Sequence, residues 1–449
     1  MPTFTFDETT PAPTPAAITD DVELLHSYPR FHHSSDFDVG SDDYLKGLVF
    51  VGATVIALAV FLLLVYTLFL FARCCCNCCK FSEDDVTKHH ERCSPRAQRG
   101  VLVVWLVLTA AMMCCSYIGC LEFVEGAADM ADQADSLGGI FSTLETQGDS
   151  LAASATNMNT TLSNIACVDD DFIADFNGYV SEFSSAVDDL ASLWTGIDDK
   201  FYRARDMLED DAPRFIEAGI AATCALVVVV CVFGILADLL SCCCPLSYVL
   251  FNFASLLGVL VCLFLAILVA LELSMSVAIS DFCYNGVDAS FNNILDERLK
   301  LEGDNRELIE YYVSCTGVNP LFSAMNESIT QLEGINATVT TALQYSICSA
   351  AADVRALGTE SIDTLGTLDD LQETIGCTAI NPVYQTLTYD LLCGNVVEGL
   401  YWLWTVQVTA AFMLYVGLFI ISYTKEKTDL QRAAARGEKY DVDDDLRTI

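Results

Sequence analysis

Histidine and basic side chains are scarce in this sequence. The five histidines are His26, His32, His33, His89 and His90. None falls in the two long polar segments 121–215 and 275–397, which therefore lack the commonest base and metal ligand. There is no Gly-rich phosphate loop, no His-Glu-x-x-His and no Gly-x-Ser-x-Gly, so no enzyme is expected. His89-His90 with Cys93 reads as a solvated loop rather than a metal site. Lys and Arg total 22 against 61 Asp and Glu, a net charge of −39. Such a field draws in cations and repels nucleic acid, which is not expected as a partner. Proline is missing between Pro95 and Pro213 and between Pro320 and Pro382, leaving both stretches free to form long helices.

Long apolar runs are present instead: Gly47–Ala72, Val101–Cys120, Ala218–Leu240, Tyr248–Leu271 and Gly399–Tyr423. Each supplies roughly the 20 residues a helix needs to cross a ~30 Å hydrocarbon core. The expected fold is an all-α integral membrane protein, with five transmembrane helices and a disulfide-bonded helical extracellular domain. Met1–Tyr44 has no apolar stretch of the kind a cleaved signal carries, so span one is expected to insert uncleaved.

Charge sets the expected orientation. The loop after span one carries Arg73, Lys80, Lys88, Arg92, Arg96 and Arg99, and the C-terminal tail carries Lys425, Lys427, Arg432, Arg436, Lys439 and Arg447. Both read as cytoplasmic, and the N-terminus as outside. The sequons at Asn159, Asn326 and Asn336 fall in loops that this topology also places outside. The boundaries are an extracellular tail 1–45, span one 46–72, a cytoplasmic Cys-rich loop 73–99 and span two 100–120. A first extracellular loop 121–215 leads to span three 216–240, a cytoplasmic hairpin 241–246 and span four 247–274. The second loop 275–397, span five 398–423 and a cytoplasmic tail 424–449 follow. Leu121–Pro213 holds 20 Asp and Glu against 3 Lys and Arg, and Val277–Val397 holds 17 against 4. Leu137, Ile140, Leu144, Leu151, Leu162 and Ile165, then Leu357, Ile362, Leu365, Leu368 and Leu371, recur at helical intervals. Enrichment in Ala, Ser and Asp suggests thin packing by small residues.

The 21 cysteines divide by compartment. Cys74, Cys75, Cys76, Cys78 and Cys79 follow span one, and Cys242, Cys243 and Cys244 form the hairpin. The cytosol disfavours disulfides there. Palmitoylation is the leading reading for these juxtamembrane thiols, with inert thiols or a metal as alternatives. Cys167, Cys283, Cys315, Cys348, Cys377 and Cys393 lie outside, where an even number argues for disulfides with 15 possible connectivities. Cys120, at the outer edge of span two, is ambiguous.

No Lys or Arg lies inside any of the five apolar runs, whereas anion pores usually line their path with positive groups. Arg203, Arg205 and Arg214, just before span three, are the basic cluster nearest the outer mouth. Asp238 and Glu272 are the ionisable residues within spans. A charged Glu272 without a partner would cost several kcal/mol. Its partner is expected to be a hydroxyl, a backbone amide, water or one of those arginines, with the side chain turned away from lipid.

Several segments resemble the Tweety family. Leu24-Leu25-His26 with Pro29-Arg30 resembles the family's segment before span one, and Cys74–Cys76 its cysteine run after it. Leu271-Glu272 followed by Ser280-Asp281-Phe282-Cys283 matches its span-four exit. Tyr311-Tyr312…Cys315 with Asn319-Pro320, and Leu392-Cys393…Glu398-Gly399-Leu400, match two further segments in order. The prominins, also five-span and Cys-rich, are much longer and a distant second. The resemblance implies a homodimeric plasma-membrane glycoprotein and a chloride channel of Ca²⁺- or volume-regulated type. Its alternative is a protein that binds lipid or organises membrane, with an apolar cavity under the ectodomain. The resemblance also implies the pairs Cys283–Cys393 and Cys315–Cys377, each worth about 4 kcal/mol by the chain-entropy argument. Cys167 and Cys348 remain, and are expected to bridge the two loops. A family Ca²⁺ site just beyond span two maps to Gly119–Gly126, where Cys120 replaces an Asn. Glu122 and Glu125, three apart on one helical face, are the candidate ligands.

Overall fold

A computed structural model describes residues 19–75, 95–165, 167, 173–174, 176–187, 212–240, 246–299, 303–317, 319–348 and 351–436. Among the described residues the regular structure is helical, and the only β-like pairing is one isolated bridge between Cys167 and Cys348. Five helices are long and apolar enough to cross a membrane, and the chain is a multi-pass membrane protein.

The N-terminal α1 (Asp20–His26) leads to α2 (Asp42–Cys75), which carries span one. Span two is the first third of α3 (Pro95–Ser163). Span three is α4 (Ala212–Leu240) and span four α5 (Leu246–Tyr284). The short α6 (Val287–Ile294), α7 (Asp304–Ser314), the long α8 (Pro320–Tyr345) and α9 (Ala351–Thr374) follow. After α10 (Cys377–Gln385), a π-helical segment Thr386–Val396 feeds α11 (Val397–Arg436), which carries span five.

The proline map explains α3. Its 69 residues run about 100 Å at 1.5 Å per residue. With no Pro after Pro95, the helix leaves the membrane region without a break. Leu102, Leu106 and Met113 on its first third pack among the spans, against Val227 and Val230 of α4 and Leu414 and Leu418 of α11. Leu144, Leu151, Met158 and Leu162, further along, line the core of the large-loop bundle. One helix thus carries both cores.

The bundle core is bulkier than the composition suggests. Phe176, Phe183, Tyr311, Tyr312, Phe322, Met325 and Leu332 fill it. The Ala, Ser and Asp enrichment falls largely on exposed faces, and small residues enter the core where helices cross. On α9 the buried stripe is Leu357, Ser361, Thr364, Leu368 and Leu371. Ile362 lies off this stripe and is 56% exposed, because the i+3/i+4 spacing assigns its turn's inward position to Ser361. The start of α8 is sharply defined: the Asn319 side chain accepts from Leu321 N at 3.0 Å, with Pro320 in the first turn.

Residues 19–44, within the segment expected as an extracellular tail, are packed against the rest of the chain. Val22 and Leu25 of α1 are buried with Leu273 and Val277 of α5. Further along, Asn285 Nδ2 donates to Ser35 O at 3.0 Å and Val39 N donates to Asn293 Oδ1 at 3.1 Å. The segment is a strap over the exit of span four.

The crossing of α3 with α11 is glycine-dependent. A Cβ at Gly399 would lie 3.0 Å from the backbone N and Cα of Phe123, whereas one at Gly148 on α3 would meet nothing within 4 Å. Replacing a mid-helix Gly by Ala ordinarily gains about 0.5–1 kcal/mol. Gly148→Ala should raise the melting temperature of purified protein accordingly. Gly399→Ala should lower it, costing about 1–3 kcal/mol, because backbone and not a flexible side chain must move.

Candidate functional site

The junction between the spans and the large-loop bundle collects most of the polar chemistry. It begins at Asp281, one turn before the end of α5, whose side chain is 0% exposed. A buried carboxylate needs donors, and three converge on it. Arg30 Nη2 donates to Oδ1, His26 Nδ1 donates to Oδ1 at 2.9 Å, and Tyr44 OH donates to Oδ2 at 3.1 Å. Arg30 is itself 5% exposed, so the pair is a buried salt bridge. The His26 ring also stacks on Tyr284, centroids 3.9 Å apart.

Backbone geometry makes this reach possible. Phe31 (φ 49°) and His32 (φ 75°) sit in left-handed conformations, costly for residues other than glycine. They reverse the chain directly after Arg30, with His33 N donating to Arg30 O at 3.1 Å. The Asp281 contacts offset that strain.

Two residues on, Cys283 is bonded to Cys393 in the π-helical segment, tying the exit of span four to the approach of span five. Nearby, Tyr384 OH (2.9 Å) and Tyr389 OH (3.2 Å) both donate to Asp288 Oδ1. Burial, and then the Asp288 charge, push both phenols well above the ordinary tyrosine range. Both therefore remain donors at physiological pH. Cys315 is bonded to Cys377, and Cys167 to Cys348, the latter across the two large loops. Around the middle pair, Tyr312 OH donates to Ile375 O at 3.0 Å and Asn381 Nδ2 to Tyr312 O at 2.9 Å.

Deeper in the spans, Glu272 accepts from Gln407 Nε2 of α11 at 2.9 Å, and Gln407 is fully buried. The expected partner classes omitted a side-chain amide, and this contact corrects them. The nearby hydroxyl, Ser276 Oγ, donates instead to the Glu272 main-chain carbonyl at 2.7 Å. This local bond back to the carbonyl four residues earlier is within a helical serine's reach.

The sequence model of the Tweety family matches residues 18–447. The chain belongs to the Tweety family. No curated protein matches it. Three of the five family segments named from the sequence meet at this junction. Leu25, His26 and Arg30 come from the first, Asp281 and Cys283 from the span-four exit, and Cys393 from the approach to span five.

Other candidate residues of this Tweety chain lie apart from the junction contacts. Glu122 and Glu125 are exposed on α3, and among the described residues no group of three or more His, Cys, Asp or Glu side chains could hold a metal ion. Cys120 is a buried free thiol against Phe123, Ile220 and Leu403. Asn159 and Asn326 are exposed and Asn336 half-exposed. Arg203, Arg205, Cys76, Cys78, Cys79, Cys242, Cys243 and Cys244, with His89, His90 and Cys93, lie outside the described residues. So do the side chains of Cys74, Cys75 and Arg214. His26 and Tyr44 were missed as site residues. Their signal was the pairing of a basic motif before span one with an acidic one after span four.

Asp281→Asn removes the charge and leaves Arg30 buried without a counter-ion, a loss of about 3–5 kcal/mol. The expected result is a lower melting temperature and faster protease cleavage between residues 31 and 41. Arg30→Met combined with Asp281→Leu should cost less than the sum of the single changes, since partners in one buried pair are not additive.

Proposed function

We propose that this Tweety protein works at the plasma membrane as a homodimer, with its N-terminus and both large loops outside. In this reading it binds lipid or organises membrane rather than passing chloride through its own five spans. Basic loops on the opposite side support the orientation. So do three disulfides confined to the large loops and their span junctions, since disulfides persist on the oxidising side. The homodimer rests on the family resemblance.

The observation that carries the reading is the chemistry of the span core. No Lys or Arg occurs in any of the five runs. Among the described residues the polar contacts deep in the core are neutral or acidic, such as Tyr66 OH with Ser255 Oγ (2.7 Å) and Ser422 Oγ (2.8 Å), and Gln407 with Glu272; Lys425, which donates to Asn252 Oδ1, lies beyond the end of span five. Neither an amide–carboxyl contact nor hydroxyl pairs attract chloride, and no Lys or Arg in the five runs supplies a positive group.

A second reading is the chloride channel, Ca²⁺- or volume-regulated, that the resemblance implies. Arg203, Arg205 and Arg214 favour it, as the basic cluster nearest the outer mouth. A chloride-flux assay on purified protein in liposomes separates the two. The first reading expects flux no greater than protein-free liposomes, with lipid retained through purification. Robust flux that falls when the three arginines are neutralised would replace it with the channel.

A further inference from the structure

Among the described residues six cysteines are free: Cys114, Cys115, Cys120, Cys224, Cys231 and Cys262. Two of them touch. Cys114 Sγ on α3 lies 3.9 Å from Cys224 Sγ on α4. Cys114 is exposed and Cys224 half-buried. The pair therefore sits at the seam between spans two and three, open on one side to the surface that acyl chains cover. Cys114 lies six residues before the end of span two, about 9 Å into the hydrocarbon at 1.5 Å per residue. The seam is held in register above the pair, where Tyr117 OH donates to Glu217 Oε1 of α4 at 3.0 Å. Joining the sulfurs at the ordinary bond length of about 2.05 Å needs about 2 Å of approach.

We propose that Cys114 and Cys224 are a dithiol site that reduces lipid hydroperoxides and closes to a disulfide between spans two and three. Charged water-soluble reductants are excluded from this depth by the cost of desolvation, whereas a hydroperoxide on an unsaturated acyl chain forms within it. The exposed Cys114 sulfur takes the terminal hydroperoxide oxygen. The O–O bond breaks, and the lipid leaves as its alcohol with the thiol proton. Cys114 is left as a sulfenic acid. The Cys224 sulfur then attacks the Cys114 sulfur, and water leaves with the second proton. Two thiols and one hydroperoxide thus give one disulfide, one lipid alcohol and one water. The bond would fix span three against α3, the helix that continues into the large-loop bundle.

Cys115 supplies an internal control: it is exposed in the same run. The test uses full-length protein in liposomes containing a phosphatidylcholine hydroperoxide. Remaining thiols are alkylated, peptides are mapped without reduction and the lipid alcohol is quantified. The expected result is a Cys114–Cys224 linked peptide with about one alcohol formed per bridge. It should be unchanged in Cys115→Ser and absent in Cys224→Ser, where Cys114 stops at an oxidised acid. A matched melting temperature would show that Cys224→Ser is folded. Recovery of both thiols alkylated with the hydroperoxide intact would overturn the proposal. So would oxidation of Cys114 in the parent protein without the linked peptide.

Discussion

A carboxylate with no exposed surface must be given donors, and Asp281 takes all of its own from the first 45 residues of the chain. Removing a carboxylate from water costs several kcal/mol, recovered only when a counter-charge and good hydrogen bonds surround it. Arg30, His26 and Tyr44 supply both. The consequences spread outward. The N-terminal segment becomes a strap, the end of α5 stays helical beneath it, and Cys283 is held where Cys393 can reach it.

The wider frame follows from what a bilayer does to a backbone. With no water to satisfy amides and carbonyls, a span must be helical. Nothing in the sequence obliges that helix to stop at the headgroups, and where proline is absent it continues. α3 shows this in full, carrying one face into the span core and another into the bundle core. Any tilt of span two is therefore also a displacement of bundle residues, a mechanical coupling that needs no hinge.

The five spans were legible because twenty apolar residues in a row have few other uses. The bundle's helicity was legible from proline spacing, and the buried positions of α3 from leucine periodicity. The strap was not. His26 and Asp281 are 255 positions apart, and neither periodicity nor composition links such residues. The turn that aims Arg30 uses Phe31 and His32 at positive φ, where a sequence reader looks for glycine. Glu272 stands out in the sequence as an ionisable group at the outer end of an apolar run. Its partner Gln407 was not legible, because a neutral side-chain amide 135 positions away leaves no mark in periodicity or charge. Ile362 fits a loose helical spacing yet faces outward, because two positions on adjacent faces of a helix can both follow the same leucine.

The most direct test of the strap is hydrogen–deuterium exchange on the intact protein, read at residues 20–44 and at 276–284. The account requires both segments to be protected together, and Asp281→Asn to release the first much more than the distant α8. Rapid exchange throughout 20–44 in the unmodified protein, with 276–284 still protected, would contradict it: the N-terminal segment would then be a tail, and Asp281 would have to find its donors elsewhere.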